Sequence, residues 1–178
     1  MLRARGLYCG LLALLMIAVL VGCGYRFTAD SGTRLPAGQK VWVAYLQNTT
    51  VYPAASVVVK RALFDQFAAL RGILPAATPA EGDLMVEGTL TGYGAGNVSY
   101  TATDIVKEYR LTLTAEITVR RKGEDKTAKP LWKGPVSAWQ DYPVATTIEL
   151  QRSNEDAALL AASRKLAQQV IWNLEQGY

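Results

Sequence analysis

Tyr109-Arg110-Leu111-Thr112-Leu113-Thr114-Ala115-Glu116-Ile117-Thr118-Val119-Arg120 alternates without a break. Tyr109, Leu111, Leu113, Ala115, Ile117 and Val119 form an apolar row. Arg110, Thr112, Thr114, Glu116, Thr118 and Arg120 form a polar one. A strict two-residue period with one greasy and one wet row predicts a strand in an antiparallel sheet covered on one face only. The rest of the chain must therefore supply neighbouring strands and a cover.

The strands lie on either side. Upstream, Leu84, Val86, Gly88 and Leu90 alternate with Met85, Glu87, Thr89 and Thr91. Between the two runs stands Gly92-Tyr93-Gly94-Ala95-Gly96-Asn97. Its glycines invite comparison with a phosphate cradle, but the spacing is not GxGxxG and no helix follows. The stretch reads instead as a bulged, bent hairpin arm. Downstream, Leu131 to Trp139 is a weaker strand disturbed by Pro135. Lys40 to Leu46 precedes them all, with Val41, Val43 and Tyr45 on one side and Trp42, Ala44 and Leu46 on the other. Apolar on both faces, it belongs inside the sheet or under a partner.

Two helices supply the cover. Val59, Leu63, Phe67 and Leu70 fall at i, i+4, i+8 and i+11, with Lys60, Arg61, Asp65 and Arg71 off that line. Pro53 suits the first helical position and Gly72 the stop. The last helix is predicted from Asn154 to Gln176, with Ser153 as cap, Asp156 in the first turn, and a stripe of Leu159, Leu160, Leu166, Ala167, Val170, Ile171 and Leu174. The order is β-α-β-β-β-α. The expected fold is an α+β two-layer sandwich, a four-stranded mixed sheet with both amphipathic helices on one face.

The first residues follow different rules. Arg3 and Arg5 open the chain, no charge occurs from Leu7 to Gly22, and Leu11 to Val21 is almost wholly apolar. A positive start, an apolar middle and a small-residue exit describe a secretory leader. As a bilayer span it is short, since crossing takes about 20 apolar residues. Leu20-Val21-Gly22-Cys23 reads as a lipobox: a thiol to take the lipid, preceded by residues small enough for the peptidase. Residues 1–22 are then a leader to be removed, Cys23 carries acyl chains of the palmitate type, and residues 24–38 are a tether to one domain within 23–178. Each buried methylene contributes ~0.8 kcal/mol, so several acyl chains anchor stably. Gly24, where an aspartate would signal retention in enteric bacteria, points by resemblance to the outer membrane.

Losing Arg3 and Arg5 lowers the formal charge from +4 to +2, which gives a nucleic-acid partner no support. The chain has no histidine, and its two cysteines are Cys9 in the leader and Cys23. That excludes imidazole triads and Cys/His zinc sites and implies no cofactor. A carboxylate enzyme would draw on Asp65, Glu81, Asp83, Glu87, Asp104, Glu108, Glu116, Asp141 or Glu149. Glu87 and Glu116 share polar strand faces and could approach one another. Ordinary surface charge is the simpler account unless two acids meet in a concavity.

Cys23-Gly24-Tyr25, then Leu35-Pro36, Val41 to Thr50 leading into a helix, Gly82-Asp83-Leu84 to Gly88, the Tyr109-Arg110-Leu111 strand and the terminal helix come in an order that resembles the LptE family. The resemblance spans nearly the whole mature chain. It implies two helices against a four-stranded mixed sheet and no catalysis. It also implies a lipid-anchored place at the outer membrane, facing the periplasm and the lumen of an LptD-like β-barrel, which the protein plugs and supports while contacting lipopolysaccharide. The family's lipopolysaccharide-contacting residues cannot be carried over, because the loops do not align. From charge alone, Arg120, Arg121, Lys122, Lys126, Lys129 and Lys133 surround a hairpin tip with Glu124 and Asp125 as the acids there. Arg121, Lys122 and Lys126 are the candidates for lipid A phosphates, weighed against a plain solvated hairpin. Trp42, Trp132 and Trp139 are candidates for a partner interface or for the core. The opening strand and helix also fit lipoproteins that activate peptidoglycan synthases or build curli-type secretion pores, which would share the anchor but not the barrel.

Overall fold

The computed structural model describes residues 35–176 except 37, 101, 104, 125 and 126. The leader, Cys23, most of the tether and Lys126 lie outside the described residues. In chain order the elements are β1 (Lys40–Val43), β2 (Gln47–Asn48), α1 (Ala55–Arg71), β3 (Leu74–Pro75), β4 (Leu84–Tyr100), β5 (Val106–Arg121), β6 (Trp132–Pro143) and α2 (Ile148–Gln176). The sheet runs β3-β1-β4-β5-β6, with β2 also beside β4. β1 is parallel to β3 and β4, while β4, β5 and β6 are antiparallel.

The alternating run behaves as its pattern requires. Leu111, Leu113, Ala115, Ile117 and Val119 are fully buried, and their threonine neighbours face the uncovered side. The antiparallel register places Leu84, Val86 and Leu90 of β4 and Val136 and Ala138 of β6 on that same buried face. Both helices cover it, α1 over β1 and β3, α2 over β5 and β6, in one continuous core. Gln66 meets Gln168 and Arg71 meets Glu175, so the helices run parallel.

The sheet is larger than the four strands expected: the two-residue β2 and β3 bring it to six. Neither is long enough to show a period in sequence. Pro135 is accommodated because β6 is an edge strand. Gly72 stops α1 with φ 61°, its N–H reaching Ala68 O and that of Ile73 reaching Phe67 O. Pro53 lies just ahead of α1, whose N-cap is Ala54. Leu70 is exposed, at the helix end, as is Tyr45 beyond the end of β1.

The terminal helix begins six residues before the expected Asn154. Ser153 and Asp156 are therefore interior positions, and Glu149 is the acid of the first turn. The cap is Thr147, whose hydroxyl accepts the Leu150 N–H at 3.3 Å, while Gln151 Oε1 takes the Ala145 N–H at 2.8 Å. Thr147→Ala should cost about 1 kcal/mol, measured by urea unfolding, whereas Ser153→Ala should be silent.

Candidate functional site

The fold has two unlike ends. At one of them the chain leaves the tether: Leu35 is buried, Lys40 pairs with Leu74, and Val41 lies beside Leu84, which lies beside Arg121. Asp83 binds this corner together. Its carboxylate accepts the Lys40 N–H at 2.8 Å, its own N–H reaches Lys40 O, and its carbonyl accepts the Lys122 N–H. The tether therefore meets the sheet next to the basic β5–β6 hairpin.

Within that hairpin the candidate cations divide. The Lys122 ammonium donates to Ala80 O, and Arg120 donates to Ala128 O at 2.8 Å. Arg121 is exposed, its backbone N–H held by the Glu124 carboxylate at 3.2 Å. Lys129 and Lys133 are exposed as well.

At the other end β4 and β5 run on as an arm. From Gly94 to Val98 every residue of β4 is exposed, including Ala95 and Asn97 on the side that faces the core lower down. The bulge expected here is present, with register shifts between Leu90 and Gly92 and again between Asn97 and Tyr100. Val98, Tyr100 and Ile105 are exposed at the tip. From Thr91 to Thr103 the sequence carries no charge.

Two side-chain clusters brace the base of the arm. Tyr93 stacks on Tyr52 with centroids 4.7 Å apart and donates to Glu155, while Tyr52 donates to Asp156 at 3.1 Å. Burial, reinforced by the Glu155 carboxylate, pushes the Tyr93 hydroxyl far above its ordinary range. On the open face Arg110 grips Asp141 with two bonds of 2.7 and 2.9 Å and lies 3.8 Å over the Trp139 ring. Those hydrogen bonds hold the Asp141 carboxyl below the usual range. Beside them a cavity of about 360 Å³ is lined by Gly94, Ala95, Gly96, Asn97, Val98, Arg110 and Thr112. Neither brace was apparent from sequence, because each joins residues far apart in the chain: the β5–β6 register sets Arg110 opposite Asp141, and tertiary packing brings Tyr52 and the α2 residues Glu155 and Asp156 to Tyr93.

The nominated carboxylates do not assemble. Glu87 lies opposite Thr118 and Glu116 opposite Thr89, on the same open face but outside this cavity and outside the shallow one between β6 and α2. Asp141 does border the second cavity, but its partner is Arg110. Asp65 pairs with Arg61 on α1, Asp83 holds Lys40, and Glu108 accepts from Ser99. Glu81 and Glu149 are exposed, and Asp104 lies outside the described residues. Of the tryptophans, Trp132 is core, Trp42 half-buried and Trp139 exposed under Arg110.

A family model described as LptE, lipopolysaccharide-assembly, matches residues 38–174. The chain belongs to the LptE family. The LptE family is a non-enzymatic lipopolysaccharide-assembly lipoprotein family, and the match takes in nearly every element of the sheet and both helices. No curated protein matches in sequence. Among solved structures, a lipoprotein from Caulobacter crescentus is similar with TM-score 0.53 at 9% identity, covering 76% of this chain and 88% of that one. Lipoprotein B from Nitrosomonas europaea is similar with TM-score 0.50 at 11% identity, covering 84% and 90%. PelC from Paraburkholderia phytofirmans, a dodecamer, is similar with TM-score 0.51 at 13% identity, covering 82% and 93%. At such identities these likenesses show a shared fold and no more. Among the described residues no helix is long and apolar enough to cross a membrane.

Proposed function

We propose that this LptE-family chain is an outer-membrane lipoprotein, anchored through Cys23, that plugs and supports an LptD-like β-barrel and contacts lipopolysaccharide during its assembly at the cell surface. The observation that carries the reading is the family match over the folded domain. The polarity of the fold agrees with it. The tether joins at the basic hairpin, and the arm, whose β4 limb is uncharged and exposed on both faces from Gly94 to Val98, stands at the opposite end where a lumen would receive it. Arg121, Lys122 and Lys126 are the proposed contacts for lipid A phosphates.

Two results test the anchor and the contact. Cys23→Ala should leave the precursor uncleaved, with Arg3 and Arg5 still present in the intact mass. An unchanged lipidated N-terminus in that variant would remove the anchor. Arg121→Glu with Lys122→Glu should weaken lipopolysaccharide binding at least tenfold. A charge-assisted bond contributes about 1.5–3 kcal/mol and tenfold corresponds to about 1.4. Association with the barrel should survive; loss of both together would place the hairpin in the barrel interface instead.

A further inference from the structure

The sheet guards its edges unequally. On β6 the outward carbonyls of Trp139, Asp141 and Pro143 are taken by Lys165, Gln140 and Asn154, and Pro135 lacks an N–H. On the opposite side β3 is two residues long and contains Pro75. Caps, prolines and brevity are the usual means of refusing another strand. The distal part of β4 has none of these. β1 and β2 pair with β4 only as far as Leu90. Beyond it, between the two register shifts, Gly92 to Asn97 is paired regularly to β5 on one side. Among the described residues no strand pairs with its other side.

The outward groups can be named. Val86 O and Leu90 O point away from β5, toward Ala44 N and Thr49 N. Like those two residues, Tyr93, Ala95 and Asn97 lie on the core-side row of β4, so after the shift at Thr91 they carry the outward N–H and C=O groups. Gly92, Gly94 and Gly96 bond to β5 and lie opposite Thr114, Thr112 and Arg110 on the open face. A Cβ built on Gly94 or Gly96 meets nothing within 4 Å.

We infer that the edge from Tyr93 to Asn97 receives an extended strand from the barrel partner, adding it to the sheet by backbone pairing. This deepens the function proposed above and rests on it for the partner's identity. The incoming strand is uncharged and carries bulky, preferably aromatic, side chains over Gly94 and Gly96, where cross-strand contact is otherwise missing. A second copy of the chain is a poor occupant. Antiparallel self-pairing centred on Ala95 sets Gly94 against Gly96 and leaves both bare.

The test compares amide exchange in the full lipidated chain, alone in detergent and co-purified with its barrel, read residue by residue by mass spectrometry. The amides of Tyr93, Ala95 and Asn97 should exchange fast in the lipoprotein alone and at least a hundredfold more slowly in the complex. Those of Gly94 and Gly96 should be slow in both. Ala95→Pro removes the central outward N–H but no β5 ladder bond, and should cut the yield of complex at least tenfold, while Ala95→Val should not. A complex in which the three amides stay fast overturns the strand addition and leaves the barrel reading standing. Protection that appears in the lipoprotein alone and grows with its concentration means self-pairing and overturns it too. Absence of any barrel complex overturns both readings together.

Discussion

Leu166→Asp is expected to unfold the domain or bring it close to unfolding. Leu166 lies at the middle of α2, fully buried, in the core that joins both helices to the sheet. Removing the leucine side chain alone costs about 2–5 kcal/mol, and an unpaired carboxylate in its place adds several more or forces protonation. The Ser163 hydroxyl, one turn away, is buried with no described partner, but a single hydroxyl does not solvate a carboxylate. Against a total stability of about 5–15 kcal/mol for a domain, the sum is decisive. Leu166→Met should cost under about 1.5 kcal/mol. Thermal unfolding by circular dichroism checks both, and equal melting temperatures for Leu166→Asp and wild type would contradict the packing of α2.

Gly88→Val should be nearly as damaging, for a steric reason. Gly88 lies opposite Ile117, and a Cβ built there stands 2.3 Å from the Glu116 carbonyl oxygen and 2.8 Å from Ile117 Cδ1. The first obstacle is backbone, which cannot rotate aside, so the β4–β5 ladder itself must shift. Overpacking typically costs about 1–3 kcal/mol and more where the backbone is forced. Gly94→Ala is the matched control. Its Cβ enters open space, so its effect should stay within about 0.5 kcal/mol. A difference of less than 1 kcal/mol between the two variants, on the order of an ordinary surface change, would show that the sheet can absorb the clash.

What could be read from the sequence follows what is buried. The row from Leu111 to Val119 and the Val59-Leu63-Phe67 stripe are fully buried, because burial is what makes a period visible. Where burial stops, so does legibility. Leu70 continues the stripe but is exposed. Ile148 and Leu150 begin α2 in the open, so the first turns of that helix show no stripe and the apolar pattern marks the helix only from about Asn154. β4 extends to Tyr100 although its alternation is lost after Thr91, since a strand with both faces wet has no row to keep greasy. The Arg110–Asp141 fork joins residues 31 positions apart, and only the β5–β6 register sets them opposite one another. The basic hairpin was legible as composition. That Lys122 is drawn to Ala80 O, leaving Arg121 the more open cation, was not.

The central claim concerns the partner, and co-purification tests it most directly. The full chain, tagged at its C-terminus and extracted from outer membranes in mild detergent, should bring down one large β-barrel in equal amount, with lipopolysaccharide bound to the pair. Recovery of a ring of identical chains, or of a peptidoglycan synthase, with no barrel present would contradict it.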